Sequence, residues 1–504
     1  LDIPAKTNGS ALFGIDVSPK VDARLAATTP TATNTGMLYA AVKNAPVWGG
    51  TVKSVSSTPP SGTTAVVNLG NAVAVVATDT WKAINGAKSV SVTWNTPADA
   101  TSRTSSTITT TAKNLLASGT GVVVAEGDPA AVGSALGATP TLDQTYQLPY
   151  LAHVPMEVPN ATVLPIYTAG ILTAMEVWAP TQAAGSGWAL TAAAKASGLA
   201  ESAIKVHTTL LGGGFGRKIE TDFITTAVKT AVGIKKPVKV IWPREEDFGH
   251  DWYRPFAVAR VRALLAADKT IGAWSFRTVT QSIMQRFGWW APGWGADSTA
   301  IECATTKTGV PYATAAKAVE WVPLNVSIPT GFWRSVGASI NTFVIESAVD
   351  ELAAAAGMDE YAFRKNLLAK SADPNAPRFA AVLDAAWSLA NTTWGVTVPT
   401  GRARSISLST CFDSIVSTVV EVSKVTSSTG VVSIKVNRVA VALDCGGVVV
   451  NPNAVEAQLQ GGVAYGLTAA LWSQITWTSG KTDQTNFNKY RMVKRSDMPL
   501  ITST

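Results

Sequence analysis

Along residues 1–95 the spacing of apolar and polar positions alternates between strand-like and helix-like. Met37–Val42 and Ala72–Ala77 read as strands, Thr80–Lys88 as a short helix and Val90–Trp94 as a further strand. Asn95–Thr111 is dense in Ser, Thr, Ala and Pro and reads as a linker. Strand patterns return over 120–185, with Thr145–Thr162 and Ile171–Trp178 as candidates. A helix over Ala189–Ala196 ends at Gly198, a strand runs over Ile204–Leu211, and a helix follows over Asp222–Val232. Val238–Trp242, Arg260–Leu264 and Gly272–Ser282 read as strands, and Pro292–Ala304 has no regular pattern. Three helices come next, Ser339–Ala356, Asp359–Lys370 and Arg378–Ala390, and core packing explains their apolar spacing. The tail returns to strands over Ser405–Leu408, Val416–Val425 and Val431–Asp444 before Pro452 opens a helix running to about Ala470. No repeat of fixed period is visible. Strands cluster and helices cluster, so the pattern predicts an α+β fold rather than a doubly wound sheet.

Composition narrows this picture. A chain of 504 residues has material for about three domains. Only 15% of residues are charged, which suits a subunit that buries neutral surface against partners and equally an uncharged secreted protein. The net charge of +7 is dispersed, with no basic helix and no interleaving of basic and aromatic residues, so nucleic-acid binding is excluded. A mild positive balance fits an anionic cofactor or an acidic partner. Cys303, Cys411 and Cys445 form no CxxC pair, and His153, His207 and His250 are dispersed, so no metal ligands are assigned within the chain. No apolar run is long enough for a membrane span. The chain opens at Leu1-Asp2-Ile3 without Met, as a processed or incomplete chain does.

The candidate chemistry centres on Leu211-Gly-Gly-Gly-Phe-Gly-Arg-Lys218, between a strand and a helix. Glycines there let the backbone turn and approach a ligand closely, while free N–H groups and a helix start cradle an anion, with positive charge from Arg217 and Lys218. Neither a Walker loop nor a dinucleotide fingerprint is present. Thr181-Gln182, at a strand end, can offer an amide to a ligand oxygen. Gly331-Phe-Trp-Arg-Ser-Val-Gly337 places Arg334 before a helix, where it can clamp an anion or a developing oxyanion. Asp444-Cys-Gly446, Asn451-Pro452 and Gln458-Leu-Gln-Gly-Gly462 form another polar, glycine-rich strand-to-helix junction. His153-Val-Pro-Met-Glu157 is a candidate acid–base pair, though a structural histidine fits it as well. Amides, arginines and glycine turns from several loops are how a large anionic cofactor is held.

In their order along the chain, these motifs resemble the molybdenum-cofactor motifs of the xanthine dehydrogenase/aldehyde oxidoreductase superfamily. The opening, Asp2-Ile3-Pro4-Ala5-Lys6 to Phe13-Gly14-Ile15-Asp16-Val17, and His250-Asp251-Trp252-Tyr253-Arg254-Pro255 resemble one branch. That branch contains isoquinoline 1-oxidoreductase beta subunits and the membrane-bound aldehyde dehydrogenase large subunits of acetic acid bacteria. The resemblance implies an α/β hammerhead domain over 1–95, a linker over 96–119, a first molybdenum-cofactor-binding domain over 120–400 and part of a second over 401–504. It implies a molybdopterin cofactor, with the cytosine dinucleotide form among its variants. Catalytic roles fall to Gln182, bonded to an oxygen on the metal, and Arg334, in the substrate pocket. Gly212, Gly213, Gly214, Phe215, Gly216, Arg217, Trp333, Gly337 and Gln458 bind the cofactor, with Phe215 and Gly216 donating backbone N–H.

The implied reaction oxidises an aldehyde to a carboxylic acid with oxygen from water, a Glu acting as base. Hydroxylation of an N-heteroaromatic ring is the alternative. The implied partners are a small [2Fe–2S] subunit and a haem-bearing cytochrome c subunit that receive the electrons in a heteromeric complex. The implied location is periplasmic, with membrane association only through a partner. The family's catalytic Glu lies in a Gly-x-Gly-Glu motif that is not among these 504 residues, so a cofactor-binding structural subunit is a further alternative. Ile219 and Val336 replace residues of purine oxidisers and argue against a purine substrate. Ser18–Thr35 reads as an insertion of unassigned role.

Overall fold

A computed structural model describes residues 3–26 and 36–504 of the chain. Three sheets carry the fold. The first contains β1 (Leu38–Asn44), β2 (Ala65–Asn68), β3 (Ala72–Ala77), β6 (Asn160–Thr168), β7 (Ile171–Ala179), β8 (Ile204–Thr208) and β9 (Val238–Ile241). Its order is β8-β7-β6-β9-β1-β3-β2, with β1 parallel to β9 and β8 parallel to β7. The second, in the order β4-β12-β11-β10-β5, contains β4 (Val123–Glu126), β5 (Leu142–Leu148), β10 (Ala257–Leu265), β11 (Ile271–Thr280) and β12 (Lys317–Pro323). The third runs β13 (Arg402–Cys411), β14 (Ser414–Thr426), β15 (Val432–Asp444) and β16 (Leu500–Ser503).

Helices cover these sheets because their apolar stripes need a partner. α2 (Ala189–Ser197) and α3 (Asp222–Ile234) bury Ala193, Phe223 and Ile224 on the first sheet. α4 (Ala338–Ala355) and α5 (Glu360–Ala369) bury Val344, Leu352 and Phe363 on the second. On the third, α6 (Ala376–Trp394) takes one face, and α7 (Pro452–Leu471) leans on the other through Leu459, Val463 and Leu467. Sheets and helices are mixed in the α+β manner. Among the described residues no helix is long and apolar enough to cross a membrane.

The structure corrects several expectations. The linker over 96–119 contains a helix, α1 (Ser105–Ser118), capped by the Thr104 hydroxyl and ended by Gly119 in the left-handed region. Its Ile108, Ala112 and Leu116 pack with Val258, Val279 and Val322 on the second sheet. Sparse apolar residues at helical spacing were masked by the Ser and Thr between them. We expect Leu116→Ala to cost about 2–4 kcal/mol in urea unfolding, whereas in a linker it would be neutral.

The boundary at residue 95 does not separate two sheets, since β1–β3 share a sheet with β6–β9. The boundary at 400 falls between α6 and β13, although α6 packs on the sheet formed after it. Thr145–Thr162 is not one strand: β5 ends at Leu148, β6 begins at Asn160, and Glu157 between them accepts the Gly212 N–H of the glycine loop. β12 was not foreseen. Residues 27–35 of the suspected insertion, and Leu1 and Asp2, lie outside the described residues. The nearer part of that insertion is anchored by Leu25, buried with Val17 and Trp178, and by Arg24, paired with Glu176.

Candidate active site

β7 and β8 run parallel with Thr208 beside Ala179, so the chain leaves both strands at one edge of the first sheet. Thr181-Gln182 and the glycine loop therefore meet. The Gln182 N–H and the Thr181 hydroxyl both donate to the Lys218 carbonyl, at 2.9 and 3.1 Å. Gln182 Oε1 accepts the Gly216 N–H at 3.1 Å, while its Nε2 has no protein partner among the described residues. Close approach explains two of the glycines. A Cβ at Gly214 would lie 2.4 Å from Gln182 Oε1, and one at Gly216, where φ is +105°, would lie 1.5 Å from the Phe332 carbonyl oxygen. Phe215 between them is itself left-handed, at φ 55°. Backbone strain of this kind collects at functional sites.

The opposite wall is the turn before α4, where Ser335 and Val336 hold φ of 68° and 48°. The Glu302 carboxylate ties this turn down by accepting the Gly337 and Ala338 N–H groups at 2.8 and 3.2 Å. Arg334 then crosses to α7, donating to the Gln458 carbonyl at 3.0 Å and to its Oε1 at 3.1 Å. Gly461 and Gly462 border the guanidinium, and a Cβ on either would make ordinary contact with it at 3.6 Å. Partial burial lowers the Arg334 pKa from its ordinary value, yet an arginine stays charged at neutral pH. Phe215, Tyr465 and Trp333 stack in that order with centroid spacings of 4.7 and 4.6 Å. The Tyr465 hydroxyl donates to the His153 carbonyl at 2.8 Å.

These parts enclose a cleft of about 750 Å³. Gln182, Gly213, Gly214, Phe215, Gly216, Trp333, Arg334 and Gln458 line it. Gly212 and Gly337 lie just outside, shaping the two loops through bonds to Glu157 and Glu302. The reading of Arg217 and Lys218 as cations facing an anion is corrected, because both are 0% exposed. The Arg217 guanidinium bonds Asp222 at 2.9 and 3.0 Å and stands 3.3 Å from Asp251. Lys218 Nζ bonds Glu157 at 2.6 Å. Two bare cations in this interior would be prohibitive, so protein carboxylates take them. The start of α3 is likewise filled, by Asp222. His153 and Glu157 are no acid–base pair, since His153 Nδ1 is 2.9 Å from Asp251 while Glu157 holds Lys218. The Gly216 N–H goes to Gln182 rather than to a ligand.

Motif reading missed Tyr465, stacked between Phe215 and Trp333, and the aromatic walls Trp188 and Trp289, which join Phe332 of the Arg334 motif. Tyr465 was findable, because it lies seven residues after Gln458 and so shares a face of α7.

The donor set decides what fits. The N–H groups of Gly213, Gly214 and Phe215 have no protein acceptor among the described residues, and three successive free N–H groups form an anion-binding concavity. With Gln182 Nε2 and Arg334 they offer donors and no ligating carboxylate or thiolate. Among the described residues no group of three or more His, Cys, Asp or Glu is placed to hold a metal ion. A polar anionic group that brings its own metal ligands fits this cleft.

Comparison with known proteins agrees. The molybdopterin cofactor-binding domain matches residues 113–368, and a second domain of that description matches 345–499. The isoquinoline 1-oxidoreductase subunit beta of Brevundimonas diminuta is 27% identical, over 99% of this chain and 61% of its own length. The membrane-bound aldehyde dehydrogenase (pyrroloquinoline-quinone) of Gluconacetobacter polyoxogenes is 28% identical, over 99% of this chain and 65% of its own. The chain thus spans less than two thirds of either relative. Its fold is similar to that of quinoline 2-oxidoreductase from Pseudomonas putida 86, with a TM-score of 0.73 and 12% identity over 100% of this chain and 90% of that one.

Proposed function

Because this chain belongs to the molybdopterin cofactor-binding domain family, we propose that it is the cofactor-bearing part of a molybdenum hydroxylase large subunit that oxidises an aldehyde to a carboxylic acid. The observation carrying this reading is the convergence of Gln182, the free N–H groups of the glycine loop, Arg334 and Gln458 on one cleft with aromatic walls. When bound, the cofactor supplies a two-electron redox centre that activates oxygen from water. The chain's residues do the rest. Gln182 Nε2 would donate to an oxygen of the cofactor, and the Gly213, Gly214 and Phe215 N–H groups would hold its anionic portion. Arg334, held in place by Gln458, faces the carbonyl oxygen as charge grows on it. Trp188, Trp289 and Phe332 exclude water and bind the apolar part of the substrate.

Hydroxylation of an N-heteroaromatic ring is the second reading, supported by these aromatic walls and by the Brevundimonas relative. In either case electrons leave through a [2Fe–2S] subunit and a cytochrome c subunit, in a periplasmic complex that its partners hold at the membrane. The Glu base that the resemblance implies lies in a Gly-x-Gly-Glu motif that is not among these 504 residues.

Molybdenum analysis and parallel assays on the purified complex test this. We expect about one molybdenum per chain and turnover of benzaldehyde. Turnover of isoquinoline alone reverses the choice of substrate, and absence of both molybdenum and iron ends the assignment. Arg334→Ala should lower kcat by about 10²–10³ with molybdenum content unchanged.

A further inference from the structure

Two further cavities lie in a row beyond the aromatic wall of the cofactor cleft. The cleft shares Trp188 and Ile219 with a second cavity of about 410 Å³. That cavity shares Trp48, Trp252 and Arg286 with a third of about 590 Å³, bordered by residues 324–330. Arg286 is the charged side chain among the three at the junction of the outer two. Arg286 lies 4.2 Å from the Trp252 ring centroid and 4.0 Å from that of Phe287. Both arms of its guanidinium bond the buried Glu220 carboxylate, one at 2.7 Å. Phe287 stacks in turn on Phe332 at 5.6 Å and on Trp289 at 4.7 Å, and both of these rings line the cofactor cleft. A ladder of flat groups therefore runs from Trp252 through Arg286 and Phe287 to the cleft.

We propose that Arg286 gates a substrate path through these cavities and so limits the size of the aldehyde that reaches the cofactor cleft. Clamped on Glu220, it closes the neck between the outer cavities and fixes Phe287 against Phe332. Released, it joins the outer two cavities and frees Phe287 to shift away from the cleft. The clamp is suited to a gate because its parts are local. One ion pair and two ring contacts hold it, and Arg286 sits on a single helical turn, Gln285–Phe287, followed by Gly288 in the left-handed region. Arg286 touches no residue assigned above to cofactor binding, so it acts as a specificity-determining residue and has no catalytic role.

The inference rests on the aldehyde reading for its substrate, and two measurements on the purified complex keep the two apart. The first compares kcat/KM for acetaldehyde and benzaldehyde in the wild type, Arg286→Ala and Glu220→Gln. Both variants should raise the benzaldehyde-to-acetaldehyde ratio about five- to tenfold, through KM, with kcat for acetaldehyde and molybdenum content unchanged. Equal losses on both substrates would mean that the clamp is structural only, and the proposal fails. The second needs no turnover: the association rate of isoquinoline, followed by stopped-flow tryptophan fluorescence. It should rise about five- to tenfold in Arg286→Ala, and an unchanged rate overturns the gate. A wild type that oxidises neither aldehyde refutes the aldehyde reading, and the association rate then decides on the gate alone.

Discussion

Gly216→Ala should abolish activity, lower the molybdenum content to less than about a tenth of the wild-type value and destabilise the fold. Two costs add. The residue holds φ of +105°, which costs a non-glycine residue about 1–2 kcal/mol. The added methyl would also lie 1.5 Å from the Phe332 carbonyl oxygen, a backbone atom that cannot swing aside. Overpacking of this severity costs about 3 kcal/mol. The chain can relieve it only by moving the glycine loop away from the Arg334 turn, which opens the cleft between them. Gly214→Ala is the control. Its methyl would meet Gln182 Oε1 at 2.4 Å, and that atom ends a flexible side chain. The fold should therefore survive, while Gln182 releases the Gly216 N–H and activity falls about 10–100-fold. Thermal melts, molybdenum analysis and kcat on the two variants check the pair. Equal melting temperatures for Gly216→Ala and the wild type would show that the two loops are not locked together as described.

The contrast between these glycines shows what was readable before the structure. The loop's position between β8 and α3 follows from periodicity, because Ile204–Leu211 and Asp222–Val232 carry different apolar spacings. The order of the motifs along the chain carried the family resemblance. Which loop atoms face the cleft did not, because that depends on pairing across the fold. Gly216 spends its N–H on Gln182, 34 positions away in sequence, and Lys218 meets Glu157 across 61 positions. An arginine and a lysine beside a glycine loop look like anion ligands until the acids that neutralise them are located. Those acids are Asp222 and Asp251 for Arg217 and Glu157 for Lys218, and only the fold brings the last two to the loop. α1 failed for a local reason: its capping Thr104 and αL Gly119 were visible, but Ser and Thr diluted the apolar stripe below recognition.

The same buried charges give the second large effect. Arg217→Met should destabilise the protein by about 3–5 kcal/mol near neutral pH, because it strips the cation from a carboxylate cluster that stays buried. Asp222 would lose its bidentate partner, and Asp247 and Asp251, both 1% exposed, would lose a charge 3.8 and 3.3 Å away. The deficit should depend on pH with a definite sign. Burial and the neighbouring Asp251 already push the Asp247 pKa up to about 6 from 3.8, against the pull of Arg244 and Arg217. Burial also drives Asp251 upward, but His153 and Arg217 outweigh it and hold that carboxyl below its ordinary value. Removing Arg217 raises both. A carboxyl whose folded pKa exceeds its unfolded one binds more protons in the native state, so stability falls as pH rises through the interval between the two. In the variant that interval runs from about 4 to above 6. The loss should therefore be largest at pH 8 and shrink as the pH is lowered toward 5, where protonated Asp247 no longer needs a cation. Urea unfolding of the wild type and Arg217→Met at pH 5 and pH 8 measures this directly. A deficit of equal size at both pH values would mean that lost packing of the guanidinium on Trp242, 5.3 Å away, outweighs the charge it leaves unpaired.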